Sequence, residues 1–600
     1  MSSRSWLLGG VAALLAGLVY LNALHNPFVY DDYRTIVENV SVQSPGSFRA
    51  IVLHDITRPI VNLSYAADRA LWGAQPFGFH VTSVLFHMLN VLLLYQLAWR
   101  LAIDLWRPAS AGPLASDRER AAGPAKRASA RSTDTAMASR SHIVAGSAAV
   151  LFAVHPMMTE AVGYISGRSE VLCATFFLLA LMSGWRWLRG DGAIWALLSI
   201  ALWTVALAAK EIAAVFPFVL ACCDWLIAPG TRAEKRRRML TVHLPIVAIA
   251  VLAVVVRLAV VTRVENAVQA MVRWPYVLLE LDVVRRYLTL MLVPVGQAMF
   301  HDVSLLTGVF DPRALLAIAV LGLLLVLAWR VRKIDGLASF GILWFLLLLL
   351  PSSALVALGH GEAMTEHRVY LASCGLFLAV GAGMSHLFAR LEHVSASMQF
   401  PARAALAIGL ITLCALTVSR NTVWASPVTL WHEAVDRAPN HWRPRLLLGE
   451  ALQDNGRREE AVEQYTAALR IRPSEPSAYM KLGLCFAEMG RLQEAAATFQ
   501  RLREIDPRSA GASTGLGVVA MLQGQPDRAR HFFLEAIERD PRNVSARRSL
   551  AILDEIEPAN PEEALRLCQE IQQIAPQTPG NDDCIRRNQA RVNAIRAGRR

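Results

Sequence analysis

Charged residues are scarce in this chain: they make up only 18% of its 600 residues. Soluble proteins average about 25%, whereas 54% of the residues here are hydrophobic. This composition excludes a soluble multidomain enzyme and indicates a membrane protein. Lysine is rarer still, and the net charge of +12 is carried almost entirely by arginine, a bias that we interpret as typical of a GC-rich bacterial genome. The basic residues cluster between apolar segments, so they indicate membrane orientation rather than nucleic-acid binding.

Cysteine is also infrequent, with 8 residues that form no CxxC pair and no metal-ligand spacing. The sequence therefore gives no sign of a zinc site. Most of these cysteines lie in apolar segments, where cysteine behaves as a small hydrophobe. Cys568 and Cys584 can pair if their compartment is oxidising.

Long apolar runs predict a bundle of membrane-spanning helices. Residues 6–24 form an uninterrupted run that is long enough to cross a bilayer, and we interpret it as an uncleaved anchor. Further spans are predicted to start near Phe79, His142, Ser169, Ala193, Glu211, Val242, Ala314, Leu337, Val369 and Ala402. Residues 276–293 are ambiguous because they contain Glu280, Asp282, Arg285 and Arg286, and charges in mid-bilayer are costly.

The basic loops decide the topology. Residues 100–140 are rich in Arg, Ala, Ser, Gly and Pro and predict a flexible linker, and residues 232–238 and 330–333 are also basic. The positive-inside rule requires all three basic segments to face the cytoplasm. Because successive spans alternate in direction, this is possible only if residues 276–293 do not cross the membrane. We therefore predict eleven spans in a membrane domain of residues 1–420, with an outer loop at 25–78 and everything after about Arg420 outside.

The C-terminal region has an internal period. Pro439, Pro473, Pro507 and Pro541 recur every 34 residues, and Gly456, Gly490 and Gly524 follow the same interval. The pattern resembles the tetratricopeptide repeat. It predicts a helical repeat domain at 421–577, with full repeats at 442–475, 476–509 and 510–543, a degenerate last unit and a basic tail at 578–600. Such arrays bind extended peptides or helices, although a packing scaffold without a ligand is the alternative.

Ionisable residues at the ends of the predicted spans are the main functional signal. Under the eleven-span topology they all face outward, and interfacial charges are by default a functional hypothesis. They are Asp31, Asp32, Arg58, His80, His87, His155, Glu160, Arg168, Glu170, Lys210, Glu211, His360, Glu366, His367 and Arg368. Each has a structural alternative: a loop turn, a solvated hairpin tip, a structural ion pair or, for His80 and His87, helix packing. Their convergence on one face favours a shared site.

These residues lie in motifs that resemble a known family. The segments FVYDDYRTI, RPIVNLSYAADRALWG, PFGFHVTSVLFH, LFAVHPMMTEAVGYISGRSEVL, AAKE and EHRVYLAS follow in order the pattern of the transmembrane and tetratricopeptide-repeat O-mannosyltransferases. The resemblance implies a polytopic glycosyltransferase of the GT-C type that uses a polyprenyl-phosphate-linked sugar. It places Asp31 and Asp32 at the family's acidic pair. His155, Glu160, Arg168, Lys210, Glu211, Glu366 and Arg368 fall on its other polar motifs.

The residue types fit this chemistry. Asp31 or Asp32 can take the proton of an acceptor hydroxyl, and Arg168, Lys210 and Arg368 can stabilise the departing phosphate. Glu160 can stabilise an oxocarbenium-like transition state. Two adjacent Asp residues can alternatively hold a divalent metal, but too few further oxygen ligands are present, so we expect neither a metal nor a cofactor.

We therefore predict an all-α protein, a membrane bundle followed by a repeat solenoid, that is a glycosyltransferase. Its expected partners are a polyprenyl-phosphate sugar and a protein or peptide acceptor that binds the repeats. Its expected location is a bacterial inner membrane, with the site and the repeats on the periplasmic side. A non-catalytic, membrane-anchored scaffold is the alternative. A lipid-sugar transporter ranks last, because its polar residues would line the bilayer midplane.

Overall fold

A computed structural model describes residues 3–43, 48–106, 124–252, 255, 274–357, 362–391, 396–556, 560–576 and 578–598. The chain divides into two compact units, Met1–Ser426 and Pro427–Arg600. Every regular element in the described ranges is helical, which confirms the all-α prediction. The predicted domain boundary at residue 420 lies six residues before the observed one.

Besides the helical residues 244–252, the first unit contains sixteen α-helices whose two ends both lie in its described residues. They are α1 Ser3–Val19, α2 Val40–Gln43, α3 Phe48–His54, α4 Pro59–Trp72, α5 Pro76–Trp106, α6 Pro124–Val154, α7 Thr159–Gly163, α8 Arg168–Leu188, α9 Ala193–Leu207, α10 Phe216–Leu226, α11 Arg232–Arg238, α12 Trp274–Leu292, α13 Pro312–Val331, α14 Gly336–Ala357, α15 Val369–Leu391 and α16 Ala396–Val423. Seven helical segments of the described chain are long and apolar enough to cross a membrane, and Ala193–Leu207 and Gly336–Pro351 are shorter apolar helices.

Nine of the eleven predicted spans thus coincide with an apolar helix. The span predicted from Glu211 is a 3-10 turn followed by α10, and the one predicted from Val242 continues beyond the described residues. Residues 276–293 form α12, in which Asp282 accepts hydrogen bonds from Arg285 at 2.7 Å and from Arg286 at 2.9 Å. Three of the four charges that make this segment ambiguous are therefore paired with one another. The total of eleven stays a prediction.

The predicted linker at 100–140 is wrong at both ends. Helix α5 continues to Trp106 and α6 begins at Pro124, while residues 107–123 lie outside the described residues. Low sequence complexity favours a flexible linker, but the Ala and Arg that make up about half of residues 124–140 are strong helix formers. Residues 124–140 therefore extend the apolar part of α6 as helix instead of forming a flexible linker.

The second unit is a stack of helical hairpins that follows the predicted repeats. Its helices are α17 Pro427–Arg437, α18 Trp442–Asp454, α19 Arg458–Ile471, α20 Pro476–Glu488, α21 Leu492–Ile505, α22 Ala510–Leu522, α23 Pro526–Arg539, α24 Val544–Ile556, α25 Pro561–Ile574 and α26 Asn581–Gly598. Gly490 ends α20 with φ +74°, a conformation that only glycine adopts without cost. A Cβ on Gly483 would lie 2.6 Å from Cε1 of Phe499. The 34-residue period in the sequence therefore reflects a turn and a close contact between helices that recur along the repeats.

The basic tail predicted at 578–600 is instead mostly helix α26. Asp582 and Asp583 occupy its first turn, where negative charge favours a helix N-terminus. The Asn581 side chain donates to the carbonyl of Cys568 at 2.9 Å, and Cys568 and Cys584 form a disulfide. Helix α26 is thus fixed to the last hairpin of the stack.

Candidate functional site

The acidic pair lies in the first loop, where its two members have different environments. The Asp32 carboxylate is buried and accepts hydrogen bonds from the Ser166 backbone N–H at 2.8 Å, the Ser166 hydroxyl at 2.6 Å and the Val29 N–H at 3.1 Å. Asp31 is exposed, and its backbone N–H donates to the Tyr164 hydroxyl at 3.1 Å. Asp32 therefore fixes the loop to residues 164–166, and the Asp31 side chain is left for other contacts.

The backbone before the pair is strained. Tyr30 has φ +51° and is the one non-glycine residue in the described chain with positive φ. Such a conformation costs about 1–3 kcal/mol and persists only where the surroundings impose it. The Tyr30 ring meets the Phe300 ring edge-on, with centroids 6.4 Å apart. The Asp32 hydrogen bonds and this ring contact together hold the turn that presents Asp31.

Asp31 lines a cavity of about 470 Å³. The residues around this cavity are Asp31, Arg34, Thr35, Asn39, His54, Asp55, Arg58, Val61, Asn62, Tyr65, Ser166 and Ser169. Arg58 is half-exposed, and one of its guanidinium nitrogens lies 3.4 Å from Oε1 of Glu211. Two arginines and a histidine thus surround a small space together with the Asp31 carboxylate, a charge pattern that suits a phosphate-bearing ligand and a proton acceptor.

A second polar cluster joins three other segments. The Glu160 carboxylate accepts from Nδ1 of His367 at 2.5 Å and from the Glu366 N–H at 2.9 Å. The Glu366 carboxylate in turn accepts from the Ala298 N–H at 2.7 Å and from Nε2 of His301 at 3.0 Å. Burial raises the pKa of the Glu160 carboxyl, but His367 and the Glu366 N–H more than offset it and hold that pKa below its ordinary value. Glu160 is therefore ionised at neutral pH.

The two clusters lie at the same end of the helix bundle. Glu160 belongs to the second cluster, and Tyr164 and Ser166, a few residues later, bind the acidic pair. Tyr30 contacts Phe300, which lies beside His301. The structure thus brings together Asp31, Asp32, Arg58, Glu160, Glu211 and Glu366. Arg368 lies next to this group, but its guanidinium donates to the carbonyls of Glu362 and Ala363.

Two predicted site residues, Arg168 and Lys210, are engaged inside the fold. Arg168 is fully buried and pairs with Asp68 at 2.5 Å, and it also donates to Ser64, Ser83 and the Phe79 carbonyl. These contacts of Arg168 are all with groups of the protein, and its predicted phosphate contact stays a prediction. Lys210 pairs with buried Glu170 at 2.7 Å, which engages it in the same way.

The predicted histidines also have structural partners. Nε2 of His155 lies 3.0 Å from the Met291 carbonyl, and its Nδ1 caps the turn that begins at Pro156. His80 contacts the Asn26 carbonyl, and His87 contacts the Tyr370 hydroxyl at 2.8 Å. The helix-packing alternative thus describes both His80 and His87, which lie in α5. His360 lies outside the described residues.

Sequence reasoning missed several groups at the site. Arg34 lies one helical turn after Asp31, and this spacing could have identified it. His54 and His301 lack such a signal, since each reaches its cluster only through the tertiary fold. In the described parts of the chain, no group of three His, Cys, Asp or Glu is placed to hold a metal ion. The expectation of no metal stays a prediction.

The burial of Asp32 predicts a pH-dependent stability. Burial raises the pKa of Asp32 from about 3.8 to about 7. The folded state therefore binds the proton more tightly than the unfolded state, and this contribution to stability is complete below about pH 4 and is lost as the pH rises towards 7. We expect the unfolding temperature of the wild type, relative to Asp32→Asn, to fall across this range. Scanning fluorimetry of both proteins in detergent between pH 4 and 8 measures it.

The control for that measurement is Glu38→Gln, which removes one carboxylate from an exposed position of the same loop. Its unfolding temperature should follow that of the wild type at each pH. A constant difference between the wild type and Asp32→Asn from pH 4 to 7 would contradict the assignment.

Comparison with known proteins supports both units. The tetratricopeptide repeat family matches residues 446–510 and 486–553. A protein O-mannosyl-transferase of Caenorhabditis elegans is 24% identical over 77% of this chain and 62% of its own length. One of Drosophila melanogaster is 25% identical over 77% of this chain and 55% of its own, and one of Homo sapiens is 30% identical over 34% and 27%. This chain thus spans less than two thirds of these relatives, and the resemblance indicated by the motifs is confirmed.

Proposed function

We propose that this protein is a membrane glycosyltransferase that transfers a mannose-like sugar from a polyprenyl-phosphate donor to a hydroxyl of an acceptor, a Ser or Thr side chain of a protein. The observation that carries the proposal is the cavity of about 470 Å³ that Asp31, Arg34 and Arg58 line together. The similarity to protein O-mannosyl-transferases supports the reaction class.

Asp31 is the group that we assign as the general base. It lines the cavity, whereas the Asp32 carboxylate is buried and engaged on both oxygens. The Asp31 carboxylate takes the proton of the acceptor hydroxyl as its oxygen attacks the anomeric carbon. The bond from that carbon to the phosphate oxygen breaks, and the phosphate departs with the electron pair. Asp32 is a positioning residue that holds the turn.

The leaving phosphate needs positive charge where its own charge develops. Arg34 pairs with no carboxylate in the described chain, and Arg58 is oriented by Glu211. Arginine can bind phosphate through two parallel hydrogen bonds. These two side chains take the role that the sequence analysis gave to Arg168 and Lys210.

The outer, periplasmic side of a bacterial inner membrane is the proposed location of the site and the repeats. The distribution of basic loops supports it through the positive-inside rule. The Cys568–Cys584 disulfide adds independent support for the repeats, because disulfides persist in oxidising compartments such as the periplasm. In this proposal the repeats bind the protein acceptor, as repeats of this kind bind peptides.

Transfer from polyprenyl-phosphate mannose to a Ser/Thr peptide by the purified full-length chain tests the proposal. We expect Arg34→Gln and Arg58→Gln each to raise the KM for the donor about 10-fold, the loss typical of one charge-assisted hydrogen bond. Arg49→Gln is the matched control, because Arg49 is exposed on α3 and does not line the cavity. No transfer by the wild type with any polyprenyl-phosphate sugar would remove the proposed function, and an effect of Arg49→Gln equal to the other two would remove the phosphate site.

A further inference from the structure

A second, larger cavity lies in the membrane unit far from the acidic pair. It has a volume of about 670 Å³, within the range of about 300–1,000 Å³ that is common for small-molecule sites. Helices α10, α13 and α14 and the helical residues 239–247 form its walls. The walls are almost entirely apolar, with Trp225, Leu240, Leu244, Leu325, Trp329 and Leu343 among them. We name this cavity the Arg332 groove, after the cation that lines it.

The Arg332 groove lies at the opposite end of the helices from the proposed active site. Helix α15 begins beside Glu366, and its His386 bonds Asp335, the residue just before α14, at 2.9 Å. Residues 366–391 are one continuous helical segment, so His386 lies about 30 Å from Glu366 along the axis. Arg332 and Ser339 are close to Asp335 in sequence and line the groove. The groove is therefore not the cavity of Asp31.

The open side of the groove has the character of a membrane interface. Leu244 is 56% exposed, Trp225 47% and Trp329 63%. Exposed tryptophans mark the level where a membrane protein meets lipid headgroups, and Arg332 lies against one of them, with its guanidinium carbon 3.6 Å from the centroid of the Trp329 ring. A ligand in this groove thus has its apolar part against leucines and its polar part beside Arg332.

The guanidinium of Arg332 lacks an anionic partner. Its Nε is buried without a hydrogen bond, and no carboxylate pairs with it in the described chain. By contrast, nearby Arg238 and His243 both bind the Asp224 carboxylate, at 2.7 and 2.9 Å. A buried donor without an acceptor costs about 1–3 kcal/mol. A phosphate oxygen would satisfy this donor and balance the charge.

We propose that the Arg332 groove binds one anionic phospholipid, with its phosphate on Arg332 and an acyl chain along the leucines. The apolar walls and the exposed interfacial tryptophans favour a lipid over free phosphate. The sugar donor is a poorer occupant, since its phosphate must reach Arg34 and Arg58 at the other end of the helices. The preference for a phospholipid over the sugar donor rests on the proposed function, whereas the assignment of an anionic lipid site depends on the groove alone.

Native mass spectrometry of the full-length chain in detergent tests this site with phosphatidylglycerol and phosphatidylcholine as probes. We expect the wild type to retain one phosphatidylglycerol, and Arg332→Gln to weaken this binding about 10-fold, the loss of one charge-assisted hydrogen bond. Arg330→Gln is the control, because Arg330 is exposed in the last turn of α13 and does not line the groove. It should bind as the wild type does.

A second pair of variants tests the apolar wall of the Arg332 groove. This test remains decisive if Arg332→Gln does not fold. Leu244→Trp should fill the groove and exclude the lipid, whereas Leu323→Trp, at an exposed position of α13 outside the groove, should not. The proposal is overturned if the wild type retains phosphatidylcholine as well as it retains phosphatidylglycerol. It is also overturned if Arg332→Gln and Leu244→Trp both bind phosphatidylglycerol as the wild type does. Displacement of the lipid by inorganic phosphate alone, or a preference for polyprenyl phosphate over phosphatidylglycerol, overturns the choice of occupant.

Discussion

Asp31→Asn should lower the rate of sugar transfer by about 10²- to 10⁴-fold, the range that removal of a general base produces. The amide keeps the size of the carboxylate but cannot take the proton of the acceptor hydroxyl. The one contact that the structure shows for Asp31 at Tyr164 uses its backbone N–H, so the substitution leaves it intact. We therefore expect the KM for the donor and the unfolding temperature to stay close to the wild-type values. Single-turnover transfer from polyprenyl-phosphate mannose measures the chemical step.

Two further variants separate this role from general effects of charge. Glu38→Gln removes an exposed carboxylate from the same loop and should leave the rate unchanged. Asp32→Asn should lower the rate through the turn that it holds, and it should also change the stability, because its carboxylate accepts three hydrogen bonds inside the fold. If Asp31→Asn transfers sugar at the wild-type rate, the assignment of the base is wrong.

Features with a local physical cause could be predicted from the sequence. The repeat period reflects steric contacts that recur in each unit, such as Gly483 against Phe499 and the positive φ of Gly490. Most predicted spans coincide with helices because an apolar run of sufficient length is a property of one segment. The predicted linker was wrong at its two ends because composition alone does not decide between a loop and a helix that continues from a neighbour.

The site could be predicted only in part. The sequence identified the acidic pair and the segments that meet around it, but it could not show which carboxylate lines the cavity. It also could not show that a cation is already paired. Arg168 and Asp68 are 100 residues apart in the chain, and their contact exists only in the tertiary structure. His54 was missed for the complementary reason, since nothing in the sequence gives its distance from Asp31, whereas the spacing of Arg34 could have identified it.

The pairing of Arg168 leads to the second prediction with a large effect. Arg168→Met removes the partner of the Asp68 carboxylate while it keeps most of the side-chain volume. Both side chains are almost completely buried, and breaking a buried ion pair by removing one partner costs about 3–5 kcal/mol. We expect a correspondingly lower free energy of unfolding, measured by denaturant or thermal unfolding in detergent.

The matched control is Arg58→Met, at a half-exposed arginine whose partner Glu211 is also partly exposed. Surface ion pairs contribute about 0–1 kcal/mol, so this variant should be nearly as stable as the wild type while its KM for the donor rises. The double variant Arg168→Met with Asp68→Leu should recover part of the lost stability, because it leaves no unpaired charge in the interior. A variant Arg168→Met that unfolds like the wild type but binds the donor more weakly would mean that Arg168 contacts the phosphate after all. The structure favours the opposite result, since the guanidinium already binds Asp68, two serine hydroxyls and the Phe79 carbonyl.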